Sequence, residues 1–182
     1  MKRCAIVSIL LLLIVVVFYL FVFRNWNISD DGISLKEISS FDDCVSAGFG
    51  VLESYPSQCR TSDGRSFTQD IGNELEMLDL IKVDNPRPNT LLISPLEIKG
   101  AARGTWFFEA QAGAKLLDED GEEVATGIVQ TEGDWMTGEF VGFSGELLFE
   151  RQESGKGTLV LENANPSGLP ENQIQLIIPV IF

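Results

Sequence analysis

The nine residues Gln173-Ile174-Gln175-Leu176-Ile177-Ile178-Pro179-Val180-Ile181 decide the fold. Successive side chains of a strand point to opposite faces, so Ile174, Leu176, Ile178 and Val180 share one side, as a half-buried β-strand requires. Proline has no amide hydrogen to give to a ladder, which predicts that the nitrogen of Pro179 faces an unpaired edge. Outward from this segment, back to Leu80, short runs of Val, Ile, Leu, Phe and Trp alternate with Gly, Pro, Asn and Asp. Turn signals every 8 to 12 residues are the pattern of an all-β sandwich, and about 100 residues is the length that suits a seven-stranded one. Strands are expected at Leu80–Asp84, Leu91–Gly100, Trp106–Ala112, Ala114–Leu117, Glu123–Gln130, Gly138–Phe149 (bent at Gly142 or Gly145), Gly157–Glu162 and Gln173–Ile181. The same alternation puts Trp106 and Phe108 together in the core.

The amino-terminal end follows a different pattern. Ala5 to Phe23 is an unbroken apolar run without charge, preceded by Lys2 and Arg3. As a helix at 1.5 Å per residue it would be about 28 Å long, close to the ~30 Å hydrocarbon core of a bilayer. A cleavable secretory signal has a shorter apolar stretch followed by small residues, whereas this run ends in Phe21-Val22-Phe23-Arg24-Asn25-Trp26. Residues 1–24 are therefore expected to form an uncleaved signal anchor, a single transmembrane helix. The excess of Lys2 and Arg3 over Arg24 puts the amino terminus inside, the cytoplasmic membrane being the partner of Ala5 to Phe23. Everything beyond is expected to be extracytoplasmic.

All 27 acidic residues and only ten of the 13 basic ones follow Arg24, so the exposed part is strongly acidic. Phosphate backbones need basic patches, which excludes nucleic acid as a partner. Histidine is absent, which removes the commonest general base and a common transition-metal ligand. Two cysteines stand outside the anchor, Cys44 and Cys59. In an oxidising compartment they are most simply a disulfide worth about 3 kcal/mol. A reactive thiol would need a neighbouring histidine or a Cys-x-x-Cys spacing. The expected order is a polar stalk over 25–40, a small Cys-pair segment over 41–70 with an Asp63-Gly64 hairpin turn, a linker over 71–79 with room for one helical turn, and the sandwich over 80–182.

Catalytic chemistry finds no foothold: no phosphate loop, nucleophile elbow or HExxH segment occurs, and no catalytic residue, metal ligand or cofactor is assigned. Asp118, Asp120, Glu122 and Glu123 crowd around Gly121, but the twelve-residue calcium spacing is missing and Asp120-Gly121 suits a hairpin turn. Trp135 and Met136, after Glu132-Gly133-Asp134, fall in a connection rather than a strand, and with Tyr55 they are the candidate exposed binding contacts.

The region 80–182 resembles the bacterial spore germination immunoglobulin-like domain, the second of the two germination-associated modules known as Gmad. The likeness is carried by Ile93-Ser94-Pro95-Leu96-Glu97-Ile98-Lys99-Gly100-Ala101-Ala102, Trp106-Phe107-Phe108-Glu109-Ala110, Leu117-Asp118-Glu119-Asp120-Gly121, Gly138-Glu139-Phe140, Asn165-Pro166-Ser167-Gly168 and Ile178-Pro179-Val180. It implies an immunoglobulin-like sandwich in an extracytoplasmic setting and supplies no catalytic residues. The stretch Cys59-Arg60-Thr61-Ser62-Asp63-Gly64 is distantly similar to small exported Cys-bearing modules. With one residue more it is similar to the turn of Kazal-type protease inhibitors, whose three disulfides this stretch cannot make. The function expected is non-catalytic binding of a protein or cell-envelope polymer. The alternatives are inhibition of an extracellular hydrolase through the Cys44–Cys59 loop, with Tyr55-Pro56-Ser57-Gln58 as bait, and, more remotely, a cell-envelope hydrolase.

Overall fold

The computed structural model describes residues 37–150 and 155–182, together with Tyr19 in a helix. The span expected over Ala5 to Phe23 and the stalk as far as residue 36 otherwise lie outside the described residues. Among those described, no helix is long and apolar enough to cross a membrane. The chain divides into two compact units, one including residues 37–52 and 59–67, the other residues 53–58 and 68–182.

In the first unit, helix α1 (Phe41–Ser46) opens with a capping box. The Ser40 hydroxyl accepts from the Asp43 amide at 3.0 Å, and the Asp43 carboxylate accepts from the Ser40 amide at 3.0 Å. Each bond satisfies a donor that the first turn would leave orphaned. The amide of Ser39 and the hydroxyls of Ser40 and Ser39 stabilise the Asp43 carboxylate and hold its pKa below the ordinary 3.8. Strands β1 (Val51–Leu52), β2 (Gln58–Arg60) and β3 (Ser66–Thr68) form a small sheet in that order. The turn between β2 and β3 has Gly64 at φ +91°, as the Asp-Gly pair predicts. Cys44 and Cys59 are disulfide-bonded with a Cα–Cα distance of 6.1 Å. Both are fully buried with Ile38 in a core flanked by Phe41, Phe49 and Phe67. Arg65 donates to the Ile38 carbonyl at 2.7 Å, so residue 38 is held by both packing and hydrogen bonding.

The second unit contains one helical turn, α2 (Glu74–Met77), and seven strands: β4 (Ile81–Asn85), β5 (Leu96–Arg103), β6 (Gln111–Leu117), β7 (Glu123–Thr131), β8 (Phe140–Leu147), β9 (Lys156–Glu162) and β10 (Gln175–Ile181). They hydrogen-bond antiparallel in the order β10-β9-β6-β7-β8-β5-β4. The join between β7 and β8 is only three residue pairs, Val129 to Gly145 through Thr131 to Phe143, against eight unshifted pairs between β5 and β8. The seven strands thus form one hydrogen-bonded sheet that narrows at this join, and its two halves, β4-β5-β8 and β7-β6-β9-β10, supply the two layers of an immunoglobulin-like sandwich. One core serves both: Ile81, Ile98 and Leu147 come from the first layer, and Leu116, Leu159, Leu161, Leu176 and Ile178 from the second. Gly145 stands at the seam, where a Cβ would lie 2.7 Å from the Ile128 carbonyl oxygen, so a side chain there would force the layers apart.

Three strand expectations are corrected. Leu91–Gly100 is not one strand: β5 begins at Leu96, because Pro95 has no amide to donate, and Leu91 instead bridges Ile181 in parallel. Trp106–Ala112 is not one strand: a 3-10 turn covers Gly104–Trp106, Glu109 and Ala110 take positive φ, and β6 begins only at Gln111. Trp106 and Phe107 consequently both turn inward and Phe108 is exposed, so Trp106 and Phe108 do not share a face. The outer edge of β10 is also not unpaired. Asn89 donates to the Pro179 carbonyl at 2.7 Å, Leu92 donates to the Ile181 carbonyl at 2.8 Å, and Ile181 donates to the Thr90 carbonyl at 3.1 Å. The Asn73 side chain donates to the Gln175 carbonyl at 2.9 Å and accepts from the Ile177 amide at 2.7 Å, standing in for a neighbouring strand. On the inner face Leu176, Ile178 and Val180 are buried as expected, while Ile174 is partly exposed.

Candidate binding surface

Three connections leave the sandwich at one end: residues 104–110 between β5 and β6, 132–139 between β7 and β8, and 163–174 between β9 and β10. The strand registers place them together, since Arg103 pairs with Phe140, Gln111 with Gln130, and Glu162 with both Gly113 and Gln175. Backbone hydrogen bonds tie the connections to one another. Gly104 donates to Glu139 at 3.0 Å, Thr131 to Ala110 at 3.0 Å and Ala164 to Trp106 at 2.8 Å.

The first connection is shaped by residues that do not advertise it. After the 3-10 turn, Phe107 packs inward against Phe143, with ring centroids 6.0 Å apart. Phe108 and Gln111 then exchange backbone hydrogen bonds of 3.0 and 3.1 Å around Glu109 and Ala110, whose φ angles are +52° and +62°. Positive φ at both central residues is what a primed two-residue turn demands, and it is normally met by Asn-Gly. A left-handed conformation costs a residue with a Cβ roughly 1–2 kcal/mol. Glu-Ala therefore forms a strained turn that fixes Phe108 outward at 47% exposure.

The second connection is held by its own polar groups. The Asp134 carboxylate accepts from the Met136 amide at 3.0 Å, and Thr131 donates its hydroxyl to the Gly133 carbonyl at 3.0 Å. The Trp135–Thr137 backbone lies so close to Gly104 that a Cβ there would sit 2.2 Å from the Trp135 carbonyl oxygen. Trp135 is half-buried against the core and meets Phe108 edge-on with centroids 6.1 Å apart, while Met136 is 77% exposed. In the third connection Asn165 donates to the Leu169 carbonyl at 2.8 Å and Leu169 projects into solvent.

Trp135 and Met136 thus stand on this surface, and Phe108 joins them unannounced by the sequence. Tyr55 is exposed but engaged elsewhere. Its hydroxyl donates to the buried carboxylate of Glu74 and accepts from Arg87 at 2.6 Å, and Arg87 pairs with Glu74 at 2.6 Å while lying over the Tyr55 ring. Burial, reinforced by the hydrogen bond and charge of Glu74 and opposed by Arg87, pushes the Tyr55 hydroxyl up to about 12. A cavity bordered by Pro56, Ile71, Asn73 and Leu75 measures about 230 Å³, less than the ~300–1,000 Å³ usual for small-molecule sites. Asp118 accepts from the amides of Asp120 and Glu122 at 3.0 and 2.9 Å and closes the β6–β7 turn, with Gly121 at φ +82°. Among the described residues no group of three or more His, Cys, Asp or Glu side chains is arranged to hold a metal ion.

Comparison with curated proteins and with solved structures finds no match. A family model does match, over residues 80–168, ending in the β9–β10 connection before the strand that completes the second layer. The sandwich described above is consistent with that match: residues 80–168 are similar to the immunoglobulin-like domain of bacterial spore germination, Gmad2.

Proposed function

We propose that this protein is a single-pass membrane protein, amino terminus inside, that presents its immunoglobulin-like domain outside the cytoplasmic membrane to bind a protein or cell-envelope polymer without catalysis. The family match supports a binding module of non-catalytic type. The observation that carries the reading is the contact of exposed Phe108 with Trp135, next in sequence to exposed Met136, on connections braced by backbone hydrogen bonds. Large apolar side chains at a rigid loop end lose little conformational entropy on binding, the property that makes such residues energetic hot spots. Anchoring is supported by the uncharged run Ala5 to Phe23 and its basic flank.

The test uses the full-length chain in bacterial membranes. It should resist alkaline extraction and lose its carboxy-terminal domain to protease added outside intact cells. Capture of an envelope component should be lost in Phe108→Ala with Met136→Ala and retained in Cys44→Ser with Cys59→Ser. Loss only in the cysteine variant would instead favour an inhibitor acting through the Cys44–Cys59 loop.

A further inference from the structure

The three connections at the loop end contain five carboxylates, Glu109, Glu132, Asp134, Glu139 and Glu171, and no lysine or arginine. All five are exposed. The flanking cation, Arg103, is already committed. It donates to the carbonyls of Asp79 at 2.9 Å and Gly138 at 3.1 Å and lies 4.4 Å from the Phe140 ring centre.

Elsewhere among the described residues, three rings that are at least partly exposed lie under the protein's own cations: Phe67 under Arg65, Tyr55 under Arg87, and Phe140 under Lys82 and Arg103. Among the described residues no such contact is made by Phe108 or Trp135, although carboxylates surround them. A cation over an aromatic face is attracted by the ring quadrupole, and the attraction grows as the pair is desolvated. Neighbouring carboxylates add to it and steer the approach.

Resting on the reading of this end as the binding surface, we infer that its partner is a protein presenting a basic segment. Lysine or arginine side chains lay their stems across Phe108 and Trp135 and direct their charges to Glu109, Glu132 and Asp134. A polyanionic polymer or a second copy of this chain, at a net charge of −14, meets repulsion at the same place.

The experiment uses the full-length chain in nanodiscs. Its probes are a fluorescent decapeptide of alternating Arg and Leu, the twin with Glu for Arg, and an N-acetylglucosamine oligomer. The basic peptide should bind, weaken at least tenfold between 20 and 300 mM salt, and shift tryptophan emission. Glu132→Gln with Asp134→Asn keeps the acceptors of the connection but removes two charges, and should weaken binding at least fivefold. Glu119→Gln with Asp120→Asn removes two charges from the β6–β7 turn at the opposite end and should change it less than twofold. Equal losses from the two double variants would overturn the inference, showing only general attraction to an acidic protein. Phe108-dependent binding of the acidic peptide or the sugar, and not of the basic peptide, would overturn the charge assignment while keeping the surface. If no probe's binding depends on Phe108 or Met136, the surface itself is refuted.

Discussion

Gly104→Ala tests the architecture of the loop end directly. An alanine Cβ there would sit 2.2 Å from the Trp135 carbonyl oxygen, 2.4 Å from that of Thr137 and 3.0 Å from the Thr137 methyl. Two of the three obstacles are backbone, so the 135–137 segment has to retreat by about 1 Å for ordinary contact to be restored. Overpacking of this kind costs about 1–3 kcal/mol. Loss of the 3.0 Å bond from the Gly104 amide to Glu139 adds about 1 kcal/mol. The sum, roughly 2–4 kcal/mol, should lower the melting temperature of the sandwich by about 8 °C or more. Displacement of Trp135 should also shift tryptophan emission. Gly138→Ala is the control, since no atom lies within 4 Å of its added Cβ and the change should stay within about 0.5 kcal/mol. Circular dichroism melts of the two variants beside the parent decide the matter. If Gly104→Ala melts within 2 °C of the parent with unchanged emission, the close crossing of these connections is wrong.

Ala110→Gly relieves the positive φ of +62° and should stabilise the sandwich by about 0.5–1 kcal/mol; a loss of stability in urea unfolding would show that the turn at Phe108 is not left-handed. Cys44→Ser with Cys59→Ser opens a loop of sequence separation 15 and should cost the first unit about 3 kcal/mol, seen as faster proteolysis within residues 37–67 while the sandwich still melts as before. Tyr55 is one of only two tyrosines, so alkaline titration of phenolate absorbance should resolve one group ionising near 12, and Glu74→Gln should return it toward its ordinary 10. The sign follows from the raised value: stability contributed by the protonated hydroxyl is intact below pH 10 and is lost as pH rises toward 12, so Tyr55→Phe should flatten alkaline destabilisation in that window.

Much of the fold is legible along the chain because local periodicity and turn chemistry are local facts. Alternation in Leu176, Ile178 and Val180 identifies an inner face without reference to any other strand. Asp63-Gly64 and Asp120-Gly121 mark turns because glycine accepts positive φ where other residues resist it. Ser40 and Asp43 form a capping box that marks the start of α1, a six-residue helix too short for an apolar period to show. At the loop end the signals disappear. Glu109-Ala110 has none of the residues a primed turn prefers, and its left-handed conformation is imposed by the strands on either side.

The amino-acid sequence by itself determined the all-β class, the disulfide pair and the likeness to the germination domain, since each rests on residue type and near-neighbour spacing. Tertiary structure alone decided that Phe108 turns outward to Trp135, that Tyr55 is held by Glu74 and Arg87, and that Asn73 and residues 89–92 seal the edge at β10. Those outcomes depend on backbone groups up to about 100 residues apart competing for the same hydrogen-bond partners and the same space, a contest settled only when the layers close.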